Sequence, residues 1–363
     1  MSRGWDGVRR ILCVRLDNMG DVLMTTPAMR ALRQSFAGAS ITLLGSRSGA
    51  RCAEHIPEVD ETIAYAAPWM KLPLPTAPAD DLDMIALLAN RRFDAAVIFT
   101  AYSQNPLPAA LMCHLAGIPR RLAHCRENPY HLLGDWVVET EPGAGIRHEV
   151  RRQLDLVATV GAFTDDERLS FRVTAEDRLR AAMKAAEAGL DPSRPCLVVH
   201  PGATAPSRRY SPERFGAAAL EMSRRFDCSV AVTGDASERA LAEDVARGAG
   251  ARARSLAGQL SLGEFAGLMS LSPVLVSSNT GAVHIAAAVG TPVVDLYALT
   301  NPQHTPWQVP HRVLSNDVPC RNCYKSVCPH GHMRCLDVPV EEVVAAAAAL
   351  WNDHEPRILR AAA

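Results

Sequence analysis

Asp21 follows Gly20 in the run Arg15-Leu16-Asp17-Asn18-Met19-Gly20-Asp21-Val22-Leu23-Met24-Thr25-Thr26-Pro27-Ala28, where a strand pattern gives way to a helical one. A carboxylate there can take a proton from an incoming hydroxyl, if it reaches the oxygen directly or through one water. It can equally do no more than cap the helix. Gly20 would permit a tight turn just ahead of it.

Three loops of the second half have residue types suited to an anion. In His200-Pro201-Gly202-Ala203-Thr204-Ala205-Pro206-Ser207-Arg208-Arg209-Tyr210, Gly202, Ala203 and Thr204 leave backbone room for a phosphate. Arg208 and Arg209 can pair with its oxygens in two-pronged fashion. A solvated basic loop would read the same way. Thr233-Gly234-Asp235-Ala236-Ser237-Glu238-Arg239 offers carboxylates that could accept from ribose hydroxyls, or only cap a helix. Val276-Ser277-Ser278-Asn279-Thr280-Gly281-Ala282-Val283-His284 opens an alanine-lined helix, where free N–H groups and the helix dipole favour an anion. His284 falls a turn into that helix on the face of Thr280, as a phosphate contact or as a packed residue.

A fourth cluster is chemically dense. Cys320, Cys323, Cys328 and Cys335 share one loop with His330 and His332. A structural zinc site is conceivable, although the second cysteine pair is spaced too widely for a two-knuckle ribbon. Reduced or disulfide-paired thiols are the alternatives.

Short β-branched runs alternating with helical patterns must position these loops. Strands are expected at 11–15, 41–45, 62–65 and 95–99, with a helix over 21–35 between the first two. The second half predicts strands at 196–200, 229–233, 274–277 and 292–297, with helices over 212–225, 237–247, 262–271 and 280–289. That rhythm is α/β: parallel βαβ units in two doubly wound domains, with ligand loops at the carboxyl ends of the strands. Turn residues near 163–167 and 189–195 suggest a linker. The expected domains are 1–175 and 176–340, followed by a C-terminal helix in 341–363. The proline-rich stretch 66–83 reads as a loop, either a lid or a flexible insertion. No Gly-x-Gly-x-x-Gly follows the first strand and no Gly-Lys-Ser/Thr loop exists, which argues against NAD binding in the first domain and against a P-loop nucleotidase.

Apolar residues make up 48% of the chain and charged residues 21%, so disorder over the whole length is excluded. A formal net charge of -1 gives no pull toward nucleic acid, and no nucleic-acid partner is expected. Neither a secretory leader nor an apolar run of spanning length is evident, so a cytoplasmic protein with free thiols is expected.

In these motifs the chain resembles glycosyltransferase family 9, the ADP-heptose:lipopolysaccharide heptosyltransferases. The resemblance is carried by Gly20-Asp21-Val22-Leu23-Met24-Thr25-Thr26-Pro27-Ala28-Met29, by His200-Pro201-Gly202-Ala203 with Arg208 to Phe215, by Gly234 to Glu238, and by Ser278 to Pro292. It implies a GT-B fold of two Rossmann-like domains facing across a cleft, the first for the acceptor and the second for the sugar nucleotide. It also implies a final helix that packs back on the first domain.

By carry-over, Asp21 would be the general base of an inverting transfer, with Asn18 and Gly20 beside it on the acceptor side. Arg208 would take the place of a phosphate-binding lysine. Thr280, Gly281 and His284 would contact the diphosphate, and Glu238 the ribose or base. Thr204, Arg209, Gly234 and Asn279 complete the expected donor site. The donor implied is a nucleotide-diphosphate sugar, ADP-heptose first, with no cofactor or metal required. The acceptor implied is a glycolipid or glycan, which brings the protein to the cytoplasmic face of the inner membrane. The chain departs from the family at Asn279, usually Asp, at Tyr210, usually Trp, and over Leu299 to Trp307. Another GT-B enzyme such as a sugar-nucleotide epimerase, or a non-catalytic nucleotide-sugar binder, stays open; the Gly20-Asp21 motif favours transfer.

Overall fold

The computed structural model describes residues 4–71 and 76–352. The chain divides into two compact units, Met1–Ser170 and Phe171–Ala363. The first runs β1 (Arg10–Arg15), α1 (Met19–Ser35), β2 (Ser40–Gly45), α2 (Arg47–Ala53), β3 (Glu61–Ala64), α3 (Pro78–Arg91), β4 (Ala95–Ile98), α4 (Leu107–Leu115), β5 (Arg120–Cys125), β6 (Asp135–Val138) and α5 (Glu149–Ala158). The second runs α6 (Ala175–Glu187), β7 (Cys196–His200), α7 (Pro212–Arg225), β8 (Ser229–Val232), α8 (Arg239–Ala249), β9 (Ala253–Ser255), α9 (Leu262–Leu271), β10 (Leu275–Ser278), α10 (Gly281–Val289), β11 (Val293–Leu296), β12 (His311–Leu314) and α11 (Val340–Asn352).

Each unit is built on one six-stranded sheet, and all the strand pairings are parallel. The orders are β3-β2-β1-β4-β5-β6 and β12-β11-β10-β7-β8-β9. Counted from its own first strand, the second order is the same as the first. In both, the order reverses beside the first strand, between β1 and β4 and between β7 and β10. A crevice opens at such a reversal, where doubly wound sheets bind ligands. The central strands are apolar along their length because helices cover both faces.

Local chemistry accounts for the elements. Ser211 caps α7 by accepting from the Arg214 N–H, and Pro212 follows at the first helical position, which needs no N–H. Gly290 ends α10 in the left-handed conformation at φ 77°. Within α1, Pro27 cannot donate to the Leu23 carbonyl. The Thr26 hydroxyl donates to it instead at 2.7 Å and accepts from the Ser170 N–H at 2.9 Å.

Several expectations are corrected. The stretch 66–83 is not all loop, because Pro78 opens α3 and the Asp80 carboxylate accepts from the Ala77 N–H; Pro73 and Pro75 lie outside the described residues. Helix α1 begins at Met19, and Gly20 is its second residue rather than a turn. Ser237 falls in a 3-10 turn, and α8 begins at Arg239. Residues 171–175 fall in the second unit, as does α6, which packs on α9. Strands β5, β6, β9 and β12 complete sheets in which only four strands each were expected. In helix α11, Val343, Val344, Ala347 and Leu350 belong to the second unit's core, against α7, β11 and β12. Residues 353–363 lie outside the described part.

Candidate functional site

In the first unit, the turn after β1 carries the chemistry. Arg15 ends the strand fully buried, and three carboxylates converge on its guanidinium. Nε lies 3.0 Å from Asp17 Oδ2, Nη1 lies 2.8 Å from Glu149 Oε1, and Nη2 lies 3.4 Å from Asp21 Oδ1. Burial alone would lower the Arg15 pKa, but these carboxylates outweigh it and raise it, so the residue is a permanent cation. Asp17 is pushed above the ordinary carboxylate value, first by burial and then by Asp21 and Glu149, which outweigh Arg15 and the Gln104 amide. Gln153 donates to Glu149 Oε1 at 2.7 Å.

Asp21 is the third residue of α1, and Asn18 is the N-cap. Its Oδ2 accepts from the Asn18 N–H at 3.2 Å, so capping is realised. The Arg15 contact is long at 3.4 Å, and the Asp21 side chain keeps 18% of its surface accessible. The Asp17 oxygens are held more firmly, by Gln104 and Arg15. Of the three carboxylates, Asp21 is the most accessible, at 18% against 14% for Asp17 and none for Glu149. Asn18 and Gly20 stand beside it on the first turn.

In the second unit, the ends of β7, β8 and β10 are laced together. The His200 carbonyl accepts from Ser277 at 3.2 Å, and the Pro201 carbonyl accepts from Ser278 at 3.3 Å. His200 Nδ1 lies 3.1 Å from Thr233 Oγ1, and burial lowers the imidazole to about 4, so it is neutral at pH 7. The Glu238 carboxylate lies directly over Gly202. A Cβ at Gly202 would sit 2.1 Å from Glu238 Oε1, and one at Gly234 would sit 3.1 Å from Glu238 Cβ. The two glycines thus leave room for a carboxylate to lie on the loop backbone. Glu238 also accepts from the Asp235 N–H at 3.1 Å, and burial raises its pKa.

The tip of α10 and the loop after β11 form the other side of this crevice. Thr280 caps α10 by accepting from the Ala282 N–H at 3.3 Å, and Gly281 starts the helix. The Asn279 amide uses two protons, one to Asp295 Oδ2 at 2.9 Å and one to the His304 carbonyl at 3.0 Å. Asn301 Oδ1 accepts from Arg208 Nη2 at 3.2 Å. Burial drives Asp295 up to about 8, against the Asn279 bond and the Arg208 charge, which pull it down. An aspartate at 279 would set two buried carboxylates face to face; the amide avoids that repulsion.

Gly202, Gly234 and Glu238 thus form one cluster, and Arg208, Asn279 and Asp295 form another beside Thr280 and Gly281. The rest of the expected set is less engaged. Arg209 is exposed and donates to its own loop at Ala203, Thr204 is exposed, and His284 is buried within α10. Cys320, Cys323, Cys328 and Cys335 line one small hollow with His330 and His332, and Cys320 Sγ is 3.9 Å from His332 Nε2. Among the described residues no three His, Cys, Asp or Glu side chains converge as metal ligands, so the zinc expectation finds no ligand set. Arg15, Glu149, Gln153, Asp295 and Asn301 were not anticipated. A charge at the end of an apolar strand (Arg15) or inside one (Asp295) was the available signal, since such a group requires a buried partner.

Residues 84–334 match the family model described as glycosyltransferase family 9 (heptosyltransferase). The chain is 23% identical over 309 residues to lipopolysaccharide heptosyltransferase 2 of Escherichia coli, across 82% of this chain and 85% of that protein. A family 9 glycosyl transferase structure from Veillonella parvula superposes with a TM-score of 0.78 at 19% identity, covering 95% of this chain and 98% of that one. The E. coli heptosyltransferase WaaC with ADP-2-deoxy-2-fluoro heptose gives a TM-score of 0.65 at 18% identity, covering 92% and 97%. These superpositions establish the two-sheet GT-B architecture.

Proposed function

The chain belongs to glycosyltransferase family 9, and from that premise we propose that it moves a heptose or a related sugar from a nucleoside-diphosphate donor to a lipopolysaccharide core or similar surface glycan. The reaction inverts the anomeric centre. ADP-heptose is the first donor to test, since a relative of the same fold is described with an ADP-heptose analogue.

The second unit takes the donor. As the glycosidic bond breaks, the leaving diphosphate gains charge. Preorganised donors aimed at that charge stabilise the transition state. The N–H groups of Thr280 and Gly281 at the tip of α10, with the helix dipole behind them and the Arg208 guanidinium, are such donors. Glu238, resting on Gly202 and Gly234, is placed to accept from hydroxyls of the nucleoside. The neutral state of His200 and the raised pKa of Asp295 keep those two groups from adding charge beside the donor.

The first unit takes the acceptor, and Asp21 removes the proton from its hydroxyl. The observation that carries this reading is the placement of Asp21: it sits on the first turn of α1 beside the buried Arg15 and keeps 18% of its side chain accessible, where Glu149 keeps none. Among the described residues no helix is long and apolar enough to cross a membrane. A lipid-anchored acceptor therefore calls for peripheral contact at the cytoplasmic face of the inner membrane. Leu111 and Leu115 of α4, exposed in the first unit, supply apolar surface for it.

Transfer of heptose from ADP-heptose to core-truncated lipopolysaccharide tests the reading. Asp21→Asn should still bind ADP, with transfer reduced by about 10²–10⁴-fold, the usual worth of a general base. Transfer at the wild-type rate by that variant would end the assignment.

A further inference from the structure

Asp295 lies on β11 in the middle of the run Val293-Val294-Asp295-Leu296, with none of its surface exposed. Its Oδ2 accepts from the Asn279 amide, and its Oδ1 has no hydrogen-bond partner among the described residues. A buried carboxyl is costly in an apolar strand, and one with a free oxygen is more costly still. A residue with no task would be expected to be apolar there, like its neighbours.

The bonds that lead away from it indicate the task. Asn279 spends its second amide proton on the His304 carbonyl. His304 Nδ1 lies 2.7 Å from Asn301 Nδ2, and Asn301 Oδ1 accepts from both Thr300 Oγ1 and Arg208 Nη2. Asp295, Asn279, the 301–304 turn and Arg208 therefore form one continuous chain of polar contacts. It begins in the sheet and ends on a cation beside the tip of α10.

We propose that Asp295 is a positioning residue of the donor site. By orienting the Asn279 amide it pins the 301–304 turn, and that turn sets where Arg208 presents its guanidinium to the donor diphosphate. The inference rests on the second unit being the donor site. Asp295 does not touch the donor. A freely rotating arginine pays conformational entropy on binding, and the turn removes part of that cost before the donor arrives.

The test uses the full chain and three probes, ADP, GDP and UDP, with dissociation constants measured by calorimetry for whichever stabilises the wild type. Asp295→Leu keeps roughly the size of the side chain and removes the acceptor, while Asp295→Asn keeps a carbonyl acceptor and removes only the titration. Asn301→Ala breaks the same chain at its far end without touching the buried carboxyl. Asp295→Leu and Asn301→Ala should each weaken diphosphate binding about tenfold and raise the donor KM by the same factor, with kcat within about threefold. The double variant of these two should be no weaker than the worse single one, because both cut one chain. In the wild type, diphosphate affinity should also change between pH 7 and 9 as Asp295 ionises, and in Asp295→Asn that change should be gone.

Folded Asn301→Ala with wild-type affinity, or losses that multiply in the double variant, would overturn the proposal. So would a wild-type pH profile retained in Asp295→Asn. If Asp295→Leu does not fold, the Asn301→Ala arm decides alone. If the wild type binds none of the three diphosphates, the donor reading itself fails; if the wild type binds and the variants bind equally well, only this inference fails.

Discussion

The two units share one strand order but equip the reversal point of the sheet in opposite ways. The first fills it with ions. Three carboxylates surround Arg15, and behind them Arg152 pairs with Glu139 while Arg147 pairs with Glu141. The second unit uses neutral groups and backbone: a histidine lowered to about 4, a carboxyl raised to about 8, serine hydroxyls on carbonyls, and the open end of α10. The contrast follows from the task. A group that accepts a proton must remain an anion, and a surplus of carboxylates around one arginine keeps a negative charge available. A crevice for a diphosphate is better with few fixed anions, and burial raises Asp295 and Glu238 toward their neutral forms.

The largest effect expected from disturbing this division is catalytic. The loss of about 10²–10⁴-fold in Asp21→Asn should leave melting temperature and ADP affinity nearly unchanged, because the buried charges stay paired. Should ADP affinity fall as steeply as transfer, the separation of tasks between the units would be wrong.

Next comes Arg15→Met. Removing the one cation leaves Asp17, Asp21 and Glu149 facing each other, at a cost of about 3–5 kcal/mol in stability. Chemical denaturation should show it, and the loss should shrink in acid as the carboxylates take up protons. Gly202→Ala should follow. Its methyl would meet the Glu238 carboxylate, so nucleotide affinity should drop about tenfold, while Gly250→Ala, whose methyl would meet Leu220, should lower stability through its positive φ with less effect on binding.

A smaller, pH-dependent effect concerns the suppressed groups. Asp295 is raised from 3.8 to about 8, so the folded state binds the extra proton in that interval, and the group's contribution to stability falls as pH rises through it. The melting temperature of Asp295→Asn should therefore gain on that of wild type from about pH 4 to 8, by at most about 1.4 kcal/mol per pH unit. His200 has the opposite sign. Its pKa is lowered from 6.5 to about 4, so its contribution is present above pH 6.5 and is lost as pH falls toward 4. A constant gap between wild type and Asp295→Asn across that range would contradict the assignment of a neutral second crevice. Smallest is Thr26→Ala, where loss of the hydroxyl that serves the Leu23 carbonyl should cost about 1 kcal/mol and leave transfer intact.

Much of this was legible in residue order. Ser211-Pro212 marks the start of α7 because a cap and a proline act within one turn, and the near-continuous apolar runs of β7 and β8 mark buried parallel strands. The His200, Gly234 and Asn279 loops were visible as small polar breaks after strands. Strands β5 and β6 were harder. Arg120-Arg121-Leu122-Ala123-His124-Cys125 carries charges whose partners are backbone carbonyls of the flanking turns, such as Arg121 on the Ile118, Leu132 and His131 carbonyls. The start of α3 was hidden among prolines, although Pro78 with Asp80 is itself a helix-opening pattern.

Local order alone determined the βαβ rhythm, the doubled α/β architecture, and the loops able to meet an anion or a hydroxyl. These depend on periodicity, caps and glycine, which act over a few neighbouring residues. Only the folded chain decided that Arg15 gathers Glu149 from 134 positions away, that Glu238 lies on Gly202, that Asp295 faces Asn279, and that α11 completes the second core. Buried charge and close packing are properties of which surfaces come together, and residues distant in sequence meet only once the sheets have formed.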